Sequence, residues 1–113
     1  TLNTVPVEIV AAPGAGYAIE VISGVSSIVY NSVTYATNTT IGLISAGADD
    51  SQYELDFLAA TITKKNVLSP NLSSNNRTQM LENTALNVTV QTGDPTAGDS
   101  DITVYVTYRL IEI

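Results

Sequence analysis

The residues of this sequence with the greatest chemical reach are its carboxylates. Asp94, Asp99 and Asp101 fall close together in a stretch that also carries Gly93, Pro95 and Gly98. Three carboxylates beside a turn could hold Ca²⁺, a hard cation that takes oxygen ligands. Their spacing matches no calcium-loop pattern, and Asp with Gly is also what a turn requires for left-handed backbone and side-chain-to-backbone bonds. The turn is the favoured reading. Asp49, Asp50, Glu54 and Asp56 form a second acidic stretch. Paired carboxylates hydrolyse glycosides when a cleft holds the sugar. Only Tyr53 lies beside these acids, so a solvated loop is expected. Ala12-Pro13-Gly14-Ala15-Gly16 has the glycines of a phosphate cradle. It lacks the Lys-Ser/Thr pair and a following helix, and it reads as a turn. Asn-X-Ser/Thr triplets at Asn38, Asn71, Asn76 and Asn87 arise readily in an Asn- and Thr-rich chain, and glycosylation is not expected.

The residue types that are absent narrow the chemistry further. The 113 residues include no Cys, no His and no Trp. Disulfides, thiolate nucleophiles, Ser-His-Asp machinery and the usual zinc sites are excluded. No cofactor or metal is expected, and the chain is not expected to be an enzyme. Eleven acids against four bases give a net charge of -7. That balance opposes binding to nucleic acid, whose phosphates must be neutralised by Lys and Arg. Charged residues make up only 13% of the chain, and Thr, Ser and Asn supply the remaining polarity. A neutral polar surface suits contact between subunits, because little charge must be desolvated there. No apolar run is long enough to span a membrane as a helix. The first residue is Thr1 rather than Met, so a start residue or a longer leader is expected to have been removed.

The elements that must position these residues read as strands. Ile102, Val104, Val106, Tyr108 and Leu110 alternate with Asp101, Thr103, Tyr105, Thr107 and Arg109, which is the period of a half-buried strand. Leu86, Val88 and Val90 alternate with Asn87, Thr89 and Gln91. The Gly- and Asp-rich stretch between these two segments predicts a hairpin with a long loop. Residues 5–10 predict an edge strand containing Pro6. Residues 17–22 and 25–30 predict one strand interrupted by a bulge at Ser23-Gly24. Asn31-Ser32 predicts a tight turn with a return strand over residues 33–35. Residues 40–44 predict a further strand. Residues 53–63 fit a strand pair or a short helix, and residues 69–77 predict a polar loop. Seven to eight short strands and no firm helix point to an all-β fold, a single domain over residues 1–113. The expected architecture is a two-sheet antiparallel sandwich. Jelly-roll and immunoglobulin-like forms both fit, and the absence of Trp and Cys favours the jelly roll.

Tyr105 shares its strand face with Arg109, Ile111 and Ile113. If the opposite face is core, this one ends in exposed apolar residues. These four are the candidates for a subunit contact, and the alternative is that Ile111 and Ile113 lie beneath a neighbouring loop.

The chain resembles a group of short phage proteins from among the virion structural genes. The resemblance is carried by the segment from Leu2 through Val5-Pro6-Val7 to Ala12-Pro13-Gly14-Ala15-Gly16 and by Asn83-Thr84-Ala85-Leu86. Its most specific part is the tail Thr92-Gly93-Asp94-Pro95-Thr96-Ala97-Gly98-Asp99-Ser100-Asp101-Ile102 with Val104-Tyr105-Val106-Thr107-Tyr108-Arg109. The middle of the chain resembles the group poorly. The resemblance implies a β-rich particle component and supplies no catalytic residues. The leading expectation is a capsid decoration (cement) protein on the outer surface of the virion. It would be a homotrimer that bridges major capsid protein subunits and stabilises the shell. The alternatives are a tail, fibre or spike tip that recognises a host surface, and an extracellular filament-forming or carbohydrate-binding module.

Overall fold

A computed structural model describes residues 2, 4–46, 48–49, 51, 54–69 and 81–113. The predicted polar loop at residues 69–77 lies outside the described residues except for Ser69. The elements in chain order are β1 (Val7–Val10), β2 (Tyr17–Val29), β3 (Ile41–Ser45), β4 (Ala48–Asp49), a 3₁₀ turn (Phe57–Ala59), β5 (Lys64–Val67), β6 (Leu86–Val90) and β7 (Asp101–Glu112). All pairings between strands are antiparallel. One sheet has the order β1-β6-β3-β4 and the other β5-β2-β7.

The molecule is an all-β sandwich, as the alternation predicts. Val88 and Val90 of β6 face the core beside Leu43 and Ile41 of β3, their register partners. From the other sheet come Ile28 of β2 and Ile102, Val104 and Val106 of β7. Phe57 and Leu58 plug the core from the 3₁₀ turn, and Leu68 closes it beyond β5. Side chains from two inner faces thus fill one layer, which is how a sandwich hides apolar surface that neither sheet could hide alone.

Two expectations about connectivity change. Among the described residues, six strands have four residues or more, and the two-residue β4 adds a short pair to β3. The seven to eight expected from the sequence exceeds this because residues 33–35 form no strand. Ala36 instead makes an isolated bridge, donating to the Thr96 carbonyl at 2.7 Å and accepting from the Thr96 N–H at 2.8 Å. In addition, β6 and β7 are not a hairpin. They belong to different sheets, and residues 91–100 cross between them. Facing sheets lie about 10 Å apart, a span this connection covers easily. The crossing is pinned by its bonds to Thr4 and to residues 31–40 rather than by pairing between its two flanking strands.

The molecule measures 46 Å by 24 Å by 22 Å, and β2 and β7 are its longest described strands. A thirteen-residue strand is about 40 Å long at roughly 3.3 Å per residue. The β2–β7 register runs from Val29↔Asp101 to Tyr17↔Glu112, with a shift between Val21 and Ser23. That shift is the predicted bulge, one residue from its expected place. Beyond it, Tyr108 and Leu110 keep the apolar alternation but are 44% and 50% exposed. This end of the ribbon is thus covered less completely than the half that carries Ile102, Val104 and Val106, although Ile19 and Val21, the register partners of Leu110 and Tyr108, still pack against the core.

Candidate assembly surface

The outer face of β7 carries Asp101, Thr103, Tyr105, Thr107 and Arg109 in alternation, and all five are exposed. Tyr105 stands opposite Val25 and is 57% exposed. Arg109 faces Glu20 across the ladder, and the guanidinium donates to the Glu20 carboxylate. Ile111 is half-buried opposite Ala18, and Ile113 is 62% exposed while its N–H donates to the Gly16 carbonyl at 2.8 Å. The four residues expected at a subunit contact thus share one strand face, in one row along the ribbon. Sequence reasoning missed Glu20 as the partner of Arg109, because the β2–β7 register is not written in either strand. It also missed Ile22, which is exposed at the bulge.

The groove beside this strand was not foreseen either. β1 and β7 are edge strands of opposite sheets, and an apolar cleft of about 410 Å³ lies where they meet. Leu2, Val7 and Ile9 line it from one side, and Ile102 and Val104 from the other. Val7 pairs with Val88 in the ladder, opens onto this cleft and is 55% exposed.

Several of the acidic residues hold loops together. The Asp99 carboxylate accepts the Ser32 hydroxyl, the Ser32 N–H at 3.0 Å, the Val33 N–H at 2.8 Å and the Asn31 side-chain amide at 3.0 Å. These donors, the Ser32 hydroxyl first, lower its pKa from 3.8 to about 2. Asp94 accepts the Thr4 N–H at 3.0 Å and the Thr4 hydroxyl at 2.5 Å. Asp101 sits on β7 rather than in their loop. The three carboxylates therefore do not act as one set, and two of them serve loop geometry. In the second acidic stretch, Glu54 accepts from the Asn66 amide and Asp56 from the Thr39 hydroxyl. Asp50 and Tyr53 lie outside the described residues.

The glycine loop spends its backbone N–H groups on side chains of the chain itself. Gly14 and Gly16 have φ of 104° and 88°. The Gly16 N–H donates to the Glu82 carboxylate at 2.6 Å, and the Gly14 N–H to the Asn83 side-chain carbonyl at 2.8 Å. The backbone groups that would hold a phosphate are thus spent on tying residues 14–17 to residues 82–83. Asn38, one of the four sequon residues, donates its side-chain amide to the Asp94 carbonyl at 3.0 Å, and Asn87 is half-buried in β6. Asn71 and Asn76 lie outside the described residues.

Comparison with family models, with characterised proteins and with solved structures returns no match. The residues and their geometry therefore carry the functional reading.

Proposed function

We propose that the chain is a structural subunit of a phage particle, a decoration protein that docks on the outer shell and stabilises it. The observation that carries this reading is the long β2–β7 ribbon, whose bulge, outer face and far end leave Ile22, Tyr105, Leu110 and Ile113 half-exposed or more. Tyr105 and Ile113 share the outer face of this ribbon, and large apolar side chains gathered on one face suit docking, whereas scattered ones need no partner. The sequence resemblance supplies the particle, and the net charge of -7 supports the outer surface, since the inner surface faces packaged DNA. Most of the described carboxylates are exposed or bonded within loops, which suits a docking module better than a catalytic cleft. The mechanism is linkage: a subunit that binds the assembled lattice but not its free components lowers the free energy of the lattice by mass action. Many weak contacts repeated over a shell then add up.

The test uses particles grown without the protein. They should assemble, then rupture at lower temperature or under milder osmotic shock than complete particles. Adding back the purified protein should restore resistance, and adding back an Ile113→Asp variant should restore it poorly. Equal survival with and without the protein would reject the mechanism.

A further inference from the structure

We propose that the free edge of β7 pairs antiparallel with β7 of a second copy, across a two-fold axis at Tyr105, so that the two three-stranded sheets join into one of six strands.

The edge is open and polar groups line it. β7 is the last strand of its sheet, and no backbone bond leaves its outer side among the described residues. Its hydrogen-bonding parity follows from its ends. The Ile113 N–H points to β2, since it donates to the Gly16 carbonyl. Residues alternate in this respect along a strand, so the odd-numbered residues bond β2. The Leu68 N–H donates to the Gly24 carbonyl, which places Gly24 toward β5 and agrees with that assignment. The even-numbered residues, Ile102 to Glu112, therefore aim their N–H and C=O groups outward. Edge strands are normally blunted by Pro, Lys or a bulge. β7 has no Pro and no Lys, and the bulge of the ribbon lies in β2.

Charge selects the occupant and the register. A symmetric pairing must place even residues opposite even residues, because those carry the free groups. Arg109, which also donates to Glu20 of β2, is the only base on the strand, and Asp101 is the only acid on its face. Setting Arg109 opposite the partner's Asp101 satisfies the parity rule and centres the axis on Tyr105. The remaining pairs then follow without choice. Thr103 meets the partner's Thr107, Val104 meets the partner's Val106, and Ile102 meets the partner's Tyr108. Thr–Thr, aliphatic and aromatic–aliphatic pairs are the favoured cross-strand neighbours, and opposite charges face each other twice by symmetry. The pairing also places the exposed Tyr108 of each copy beside Ile102 of the other, at the mouth of the apolar cleft. A two-fold unit of this kind differs from the trimer expected from the sequence, and the contact is isologous, so it closes on itself.

This inference deepens the reading of the chain as an assembling subunit and names its first partner. Its test takes place in free solution, so its failure is separate from that of the particle experiment. Sedimentation equilibrium would be run on the purified chain over a concentration series reaching the millimolar range. The wild type should dimerise. Asp101→Arg and Arg109→Asp should each associate at least tenfold more weakly, because each places two like-charge pairs across the axis. Mixed in equal amounts, these two variants should recover a heterodimer. Both cross-axis pairs then hold opposite charges again, two bases on the Asp101→Arg chain facing two acids on the Arg109→Asp chain. Far-ultraviolet circular dichroism of each variant checks that it is folded. A Thr103→Arg variant gives a second reading, since it should also weaken the dimer. A wild type that stays monomeric, or forms trimers, would overturn the proposal. So would single variants that associate as well as the wild type, or a mixture that fails to pair. A monomer whose β7 edge instead captures a different particle protein counts equally against self-pairing.

Discussion

Replacing Gly98 by Ala should separate two effects at the crossing loop. Gly98 has φ of 88°, and a Cβ there would lie 2.3 Å from the Tyr35 ring. The left-handed backbone costs an L-residue about 1–2 kcal/mol. The ring must also move, and its hydroxyl holds the Ser100 carbonyl at 2.8 Å. Losing that bond adds about 0.5–1.5 kcal/mol, with some packing loss besides. The expected total is about 2–4 kcal/mol, or a fall in Tm of roughly 8–16 °C for a domain of this size. Gly14 is the control, because its φ is 104° and a Cβ there would meet nothing within 4 Å. Gly14→Ala should cost only the backbone part, about 1–2 kcal/mol. Urea unfolding of both variants, with unchanged slopes, measures the difference. Equal losses at the two positions would refute the claim that Tyr35 is locked against the loop.

Phe57 is fully buried, and the Lys64 ammonium lies 5.4 Å above its ring. Phe57→Ala should cost about 3–5 kcal/mol in urea unfolding, and Phe57→Leu less than about 2; a loss under about 1 kcal/mol for Ala would show that the 3₁₀ turn is no plug. Asp99 contributes stability through a pKa lowered to about 2 from 3.8. That contribution is complete above the unfolded value, near pH 4, and is lost as pH falls toward 2. Tm measured from pH 7 to pH 2 should therefore fall more gently for Asp99→Asn than for the wild type, from a lower starting value, and parallel curves would contradict the assignment.

What the sequence makes legible depends on burial. In β7 and β6, apolar residues alternate because one face of each strand is inside, and both strands lie close to where periodicity places them. β2 is legible for the same reason, and Ser23-Gly24 betrays its bulge. β5 leaves no such trace. Lys64, Lys65, Asn66 and Val67 show no alternation, and Val67 is 71% exposed. That strand exists through its backbone pairing with residues 25–28, which side-chain pattern does not record. Sheet membership is equally hidden, since nothing in residues 91–100 says whether the chain turns back or crosses over. The face holding Tyr105, Arg109, Ile111 and Ile113 is legible as a face. Its free edge and the cleft beside it depend on strand order, so they emerge only in three dimensions.

The pairing of β2 with β7 also governs how the chain can be made. Tyr17 waits for Glu112 and Val29 for Asp101, so each partner arrives only after most of the chain has been made. During translation the longest strand thus leaves the ribosome early and stays without its principal neighbour until β7 emerges. High contact order of this kind slows folding to about milliseconds or longer and exposes a sticky intermediate meanwhile. A nascent chain halted before residue 101 would hold an unfinished second sheet, and it should be markedly more prone to misassociation than the complete one.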